Sequence, residues 1–175
     1  MITVALAAVF IRLGNFVNSE IVGKPTEANY GVVFGRVAEN LFEQSNFGIE
    51  SAEASKGSGE AIAPGIVPVD LKLVFENSRI EESTARRIIE NNVRSSLINN
   101  RAISKHYAQP EEPLNYEVSF EDRKLVATIH TYGINRHPAQ LYESLTSLIL
   151  FIILYGIWEK YRKNVPEGLL LGIFL

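Results

Sequence analysis

The chain has 175 residues, of which 17 are basic and 20 acidic, giving a net charge of −3. It contains no cysteine, which excludes a disulfide framework, a cysteine-ligated metal site and a thiol nucleophile within the chain. No polybasic block is present, so nucleic acid is not an expected partner. The three histidines (His106, His130 and His137) are too scattered to indicate a metal cluster, and no pattern indicates a cofactor.

Apolar residues concentrate towards the ends of the chain, where residues 2–11, 144–158 and 168–175 carry no charge. A helix over residues 141–158 would extend about 27 Å, close to the roughly 30 Å of a bilayer's hydrocarbon core, and this predicts a transmembrane helix. A buried core helix is the alternative interpretation. The other two apolar runs are too short to span a bilayer, so we expect a piece of a larger multi-pass protein.

Charge placement predicts the orientation in the membrane. Residues 159–164 contain three basic residues in a short loop, which the positive-inside rule assigns to the cytoplasm. The segment from Lys24 to Gln140 contains 13 basic and 16 acidic residues, a net of −3, and should lie outside the cell.

The polar middle of the chain predicts a small α+β unit. Residues 48–65 are rich in glycine, alanine, serine and glutamate, which is typical of a flexible loop. Alternating apolar residues over 67–75 predict a half-buried strand, and two alternating runs over 116–129 predict a hairpin that turns at 121–124. Between them, apolar residues at helical spacing over 85–97 predict a helix, with Ser83 or Thr84 as its N-cap.

The first candidate site follows the N-terminal apolar run. If that helix continues, Arg12, Asn15 and Ser19 share one face. The planar fork of an arginine binds phosphate or carboxylate through two parallel hydrogen bonds, and anionic phospholipid is the abundant phosphate at a membrane surface. An internal ion pair with Glu20 or Glu143 is the alternative, and composition alone leaves both open.

The second candidate site opens the predicted transmembrane helix, since Pro138 suits a first helical turn. His137 is interpreted either as a capping or interface residue or as a catalytic base. A polar stripe at helical spacing should face the interior of a helix bundle, and apolar residues should face lipid or neighbouring helices. The polar residues are Gln140, Glu143, Ser144 and Ser147, and the apolar ones are Leu145, Leu148 and Ile152.

Two stretches carry a family resemblance. Arg12-Leu-Gly-Asn-Phe-Val-Asn-Ser-Glu20, followed by Gly23-Lys24, resembles the signature of prolipoprotein diacylglyceryl transferases, and Arg136-His-Pro-Ala-Gln-Leu-Tyr-Glu143 resembles that family's second conserved stretch. The resemblance covers residues 1–34 and 130–175 and leaves the middle uncovered. Ile11 and Ser19 depart from the family pattern, which usually has glycine at both positions.

The resemblance implies a multi-pass enzyme of the bacterial inner membrane that moves the diacylglyceryl group of phosphatidylglycerol to the lipobox cysteine of a preprolipoprotein. It implies catalytic roles for Arg12, Asn15 and Glu20, with Arg12 binding the lipid phosphate. It further implies substrate-binding roles for Gly23, His137, Gln140, Tyr142 and Glu143. The family's histidine motif, proposed to deprotonate the thiol, is absent from this chain, so we expect the isolated chain to be inactive.

We therefore expect a partial α-helical integral membrane protein with an extracytoplasmic α+β insertion. Residues 1–24 would hold a transmembrane helix end and the signature, and 25–136 the extracytoplasmic part. Residues 137–159 would form the transmembrane helix, and 160–175 a cytoplasmic loop (160–167) and the start of the next helix. A membrane-anchored extracytoplasmic binding module without catalytic activity is the alternative.

Overall fold

A computed structural model describes residues 1–76, 80–110, 112–161, 166 and 168–174. The chain divides into two compact units, which we describe separately. The first unit contains Met1–Gly23 and Pro138–Leu175, and the second contains Lys24–His137. The helices are α1 (Ile2–Val17), α2 (Arg36–Glu43), α3 (Glu82–Ile88), α4 (Arg94–Asn99), α5 (Ala139–Tyr161) and α6 (Leu169–Phe174), and the strands are β1 (Ile49–Lys56), β2 (Ile66–Phe75), β3 (Tyr116–Glu121) and β4 (Lys124–Ile134).

Helices α1 and α5 form the main packing contact of the first unit. Among the described residues, α5 is the one helix long and apolar enough to cross a membrane, and α1 is a shorter apolar helix of 16 residues. Only 11% of the apolar window of α5 is buried, which disfavours the alternative of a soluble core helix. As predicted, Leu145, Leu148 and Ile152 are exposed.

Helix α1 ends at Val17 and does not continue to Ser19. After Val17 and the C-cap Asn18, the backbone of Ser19 turns into the left-handed region with φ 58°. The N–H of Ser19 donates to the Phe16 carbonyl at 3.1 Å, and that of Glu20 to the Asn15 carbonyl at 2.8 Å. These two bonds form a Schellman motif, which terminates the helix. The condition under which Ser19 would share the face of Arg12 and Asn15, a continuing helix, is therefore not met.

The second unit is built on a four-stranded antiparallel sheet in the order β1-β2-β4-β3. The predicted strand in β2 is confirmed, with its alternate residues Leu71, Leu73 and Phe75 fully buried. The hairpin of β3 and β4 is confirmed as well. Asp122 and Arg123 at its tip both have positive φ, as a type I′ turn requires.

The prediction of a flexible loop over residues 48–65 is wrong, because residues 49–56 form the edge strand β1. Helix α2, which the sequence analysis did not predict, packs beside it. From α2, the Glu43 carboxylate accepts the Ala52 N–H at 3.0 Å, and the Glu39 carboxylate accepts the Ala54 N–H at 2.9 Å. Side chains of the helix therefore satisfy N–H groups that an edge strand otherwise leaves unpaired.

The predicted helix of the middle segment is confirmed, with a π-helical turn (Ile89–Val93) between α3 and α4. Its apolar face lies in the core, since Ala85, Ile89, Val93 and Leu97 are all buried. The N-cap is Glu81, two residues before the predicted Ser83 and three before the predicted Thr84.

Candidate functional site

An arginine and a glutamate face each other across the two long helices of the first unit. Arg12 lies on α1 and Glu143 on the first turns of α5, and Nε of Arg12 is 2.7 Å from Oε2 of Glu143. Both side chains remain partly accessible, at 35% and 47%. Of the two internal partners that the sequence left open for Arg12, the structure shows Glu143. No other polar contact of Arg12 is found within the described residues.

Gln140 connects α5 to the turn that follows α1. Its side chain is almost fully buried, and its amide nitrogen donates to the main-chain carbonyl of Glu20 at 2.5 Å. Its amide oxygen is buried and has no hydrogen-bond partner in the described part of the chain. An acceptor of this kind costs free energy unless a bound group satisfies it.

Two serines complete the polar stripe of α5. The hydroxyl of Ser144, which is buried, donates to the Val9 carbonyl of α1 at 3.2 Å. The hydroxyl of Ser147 donates within α5 to the Glu143 carbonyl at 2.8 Å. Gln140 and Ser144 thus face α1, as the prediction of an inward polar stripe required.

Among the remaining signature residues, Asn15 and Glu20 form hydrogen bonds through their main-chain groups at the end of α1. Asn15 accepts the Glu20 N–H through its main-chain oxygen. The Glu20 side chain itself is exposed, and Gly23 is half-buried and ends the N-terminal segment of the first unit. The structure therefore places the Arg12–Glu143 pair, Asn15, Glu20 and Gln140 in one connected cluster of α1, its C-terminal turn and α5.

Two further predicted site residues, Tyr142 and His137, are not members of this cluster. Tyr142, on α5, is 44% exposed. His137 belongs to the second unit, where its N–H donates to the Lys24 carbonyl at 3.0 Å and its ring lies 5.8 Å from that of Tyr30. The role of His137, as a capping or interface residue or as a base, stays a prediction.

Arg136 begins the second stretch and Asn135 directly precedes it, but neither was predicted as a site residue. Asn135 is buried, and Nε of Arg136 donates to the Lys105 carbonyl at 3.0 Å. Burial lowers the pKa of Arg136. In the sequence, these two residues could be recognised only as polar residues directly before His137, after a run that has the pattern of a strand.

Comparisons with known proteins agree with the motifs. The family model described as prolipoprotein diacylglyceryl transferase matches residues 1–175, so the match includes the middle segment that the motifs left uncovered. No solved structure matches.

Several curated relatives are named phosphatidylglycerol–prolipoprotein diacylglyceryl transferase. That of Tolumonas auensis is 58% identical over 36 residues, which are 21% of this chain and 14% of the relative. That of Bacteroides fragilis is 40% identical over 40 residues (23% and 14%), and that of Chlamydia pneumoniae is 69% identical over 29 residues (17% and 10%). The aligned part of this chain thus spans a small fraction of each relative's length. Because the family model covers the whole chain, the chain belongs to the prolipoprotein diacylglyceryl transferase family.

Proposed function

We propose that the full-length protein transfers the diacylglyceryl group of phosphatidylglycerol to the lipobox cysteine of preprolipoproteins. The proposal rests on membership of a family of membrane transferases and on the names of the relatives. In this reaction the cysteine sulfur forms a bond to the glyceryl carbon, and the bond from that carbon to the phosphate oxygen breaks. Glycerol phosphate leaves with the electron pair, and the thiol gives up its proton.

The observation that carries the proposal is the geometry of Arg12. Glu143 contacts the guanidinium at Nε, and no hydrogen bond of the two terminal nitrogens is found among the described residues. Those nitrogens form the end-on fork that binds a phosphate through two parallel hydrogen bonds. In the proposed site, Glu143 orients the guanidinium and Arg12 stabilises the charge that develops on the leaving phosphate.

Gln140, Asn15 and Glu20 extend this arrangement. The unpartnered amide oxygen of Gln140 offers an acceptor for a substrate hydroxyl or thiol. The bond from Gln140 to the Glu20 carbonyl and the bond from Glu20 to Asn15 hold the turn after α1 against α5. We propose that Gly23, His137 and Tyr142 contact substrate too, from the positions at which they match the family's stretches.

The proposal also covers the membrane topology of the protein. We propose a multi-pass protein of the bacterial inner membrane in which α5 spans the bilayer, with the insertion of residues 25–136 outside the cell and residues 160–167 in the cytoplasm. The one candidate membrane helix found in the described part of the chain and the basic residues that follow it in the sequence support this arrangement. Phosphatidylglycerol and a lipobox peptide are then the substrates.

The test is Arg12→Lys in the full-length protein, assayed with phosphatidylglycerol vesicles and a lipobox peptide by mass spectrometry of the thioether product. An ammonium cannot reproduce the bidentate fork, so we expect a loss of about a hundredfold in turnover. Arg86→Lys is the matched control, because Arg86 is an exposed arginine of α3 that pairs with Glu82. Near-normal turnover of Arg12→Lys would contradict the phosphate-binding role. If even the unaltered protein forms no thioether, the non-catalytic binding module becomes the better interpretation.

A further inference from the structure

The second unit contains a cavity of about 440 Å³ that the proposed transfer chemistry does not use. Its volume falls within the range of about 300–1,000 Å³ typical of ligand sites. Val67 and Val69 of β2 and Val33 form apolar walls, and Asn135 and Lys56 supply polar groups. The cavity therefore offers an apolar surface with hydrogen-bonding groups at two defined positions.

Asn135 is the polar group that points most clearly to a ligand. The residue is 8% exposed and lines the cavity. Its main-chain N–H and carbonyl are used by Gly65 and Thr26. Among the described residues, no hydrogen bond of its carboxamide is found, and the carboxamide is open to the cavity. A carboxamide has donors and an acceptor, which a ligand with both an acceptor and a donor would engage.

The second observation is the free edge of β1 beside the same cavity. The Gly57 N–H donates inward to the Pro68 carbonyl of β2 at 3.0 Å, and the N–H groups of Ala52 and Ala54 point outward to the carboxylates of α2. Because an antiparallel strand alternates these directions, the N–H of Lys56 also points outward. Within the described part of the chain, no carboxylate accepts it as Glu39 and Glu43 accept the other two. On the β1 edge, the carboxylates of α2 thus accept the N–H groups of Ala52 and Ala54 but not that of Lys56, which borders the cavity.

We propose that this cavity binds an extended segment of the acceptor polypeptide, at a distance along that chain from the modified cysteine. A peptide bond carries one donor and one acceptor, which match the carboxamide of Asn135, and an extended strand can add to the β1 edge at Lys56. Small or branched apolar side chains of the segment fit the valine walls. This inference rests on the proposed function, since it identifies the polypeptide as the preprolipoprotein.

The test measures peptide binding rather than catalysis. The 175-residue chain in lipid nanodiscs is titrated with a fluorescein-labelled peptide, in which a lipobox cysteine is followed by eight alternating valine and serine residues, and anisotropy gives Kd. Asn135→Leu removes the hydrogen-bonding groups at similar size and should weaken binding about tenfold. Lys56→Pro removes the edge N–H, and proline is tolerated on an edge strand, so binding should weaken several-fold. Lys56→Ala is the matched control, which keeps the N–H and should change Kd less than twofold.

The outcomes separate this inference from the proposed function. Equal binding by the unaltered chain, Asn135→Leu and Lys56→Pro would overturn the inference, as would equal loss in Lys56→Pro and Lys56→Ala. Failure of the unaltered chain to prefer the long peptide over one that ends at the cysteine would overturn it too. If the peptide binds as expected but the full-length protein forms no thioether, the proposed function fails and the peptide site stands.

Discussion

The backbone at Ser19 shows what a single departure from the family pattern changes. Ser19 occupies the position of the Schellman motif that requires positive φ, and it has φ 58°. Glycine adopts this conformation without a steric penalty, whereas an L-residue with a Cβ pays about 1 kcal/mol or more. The glycine that the family usually places there is therefore explained by the geometry of this turn. The hydrogen bonds of Asn15 and Glu20 depend on the same turn.

Ser19→Gly should stabilise the turn after α1. We expect the free energy of unfolding to rise by up to about 1 kcal/mol, because the left-handed strain disappears while the unfolded chain gains some freedom. Thermal unfolding of the chain in detergent measures the effect. Ser95→Gly is the matched control, since Ser95 lies within α4, where glycine costs about 1 kcal/mol relative to alanine. A lower melting temperature for Ser19→Gly would show that serine's hydroxyl contributes more than the strain costs.

His106 couples the stability of the second unit to pH. The side chain is 5% exposed, its Nδ1 has no hydrogen-bond partner among the described residues, and its ring meets that of Phe34 edge-on at 6.3 Å. Burial, followed by the charges of Arg136 and Lys105, lowers the pKa of His106 to about 4. The folded protein therefore keeps this imidazole neutral where the unfolded chain protonates it.

Because the folded pKa lies below the unfolded value of about 6.5, the contribution of His106 is fully present above pH 6.5 and is lost as the pH falls towards 4. We expect the free energy of unfolding to fall by at most about 3 kcal/mol over this range. Hydrogen exchange of the β4 amides at pH 7 and pH 4.5 measures it. His106→Leu cannot titrate, so its pH dependence should be weaker. An unchanged acid loss in that variant would assign the effect to other groups.

At the scale of elements, local pattern predicted those parts whose burial follows a simple period. Strand β2 alternates regularly, and the helical spacing of Ala85, Ile89, Val93 and Leu97 gave the helix, since one face of each element meets the core. Strand β1 has the sequence of a loop, and its register with β2 and its bonds to Glu39 and Glu43 make it a strand. Those partners lie 9–15 residues away in the chain or on another strand, so no local window could reveal them.

The candidate site was predictable to a similar extent. The motifs identified Arg12 and Glu143, and of the two partners that the sequence left open for Arg12, phosphate and an internal carboxylate, the structure shows the Glu143 carboxylate. The sequence did not indicate that Asn15 and Glu20 act through main-chain oxygens, because that depends on the turn after α1. Asn135 was missed because polarity alone does not show that a largely buried residue lines a cavity.

At the scale of the molecule, exposed apolar residues distinguish the two units. Large exposed apolar side chains are frequent on α1, α5 and α6, whereas in the second unit they are isolated ones such as Tyr30, Ile62 and Phe120. Single exposed apolar residues are normal in water, but helices covered with them need lipid or further helices. This contrast supports the proposal that the first unit lies in the bilayer and the second outside it.

The orientation can be tested directly, because the chain has no cysteine and each introduced thiol is the only one. Ser58 and Ser104 are exposed residues of the second unit, and Asn164 follows α5 outside the described residues. Because the basic residues after α5 should stay in the cytoplasm, cysteines at Ser58 and Ser104 should react with a membrane-impermeant maleimide in intact spheroplasts. A cysteine at Asn164 should react only after lysis, which also serves as the control for its reactivity. Labelling at position 164 in intact spheroplasts, together with protection at positions 58 and 104, would reverse the orientation and place the proposed peptide site on the cytoplasmic side.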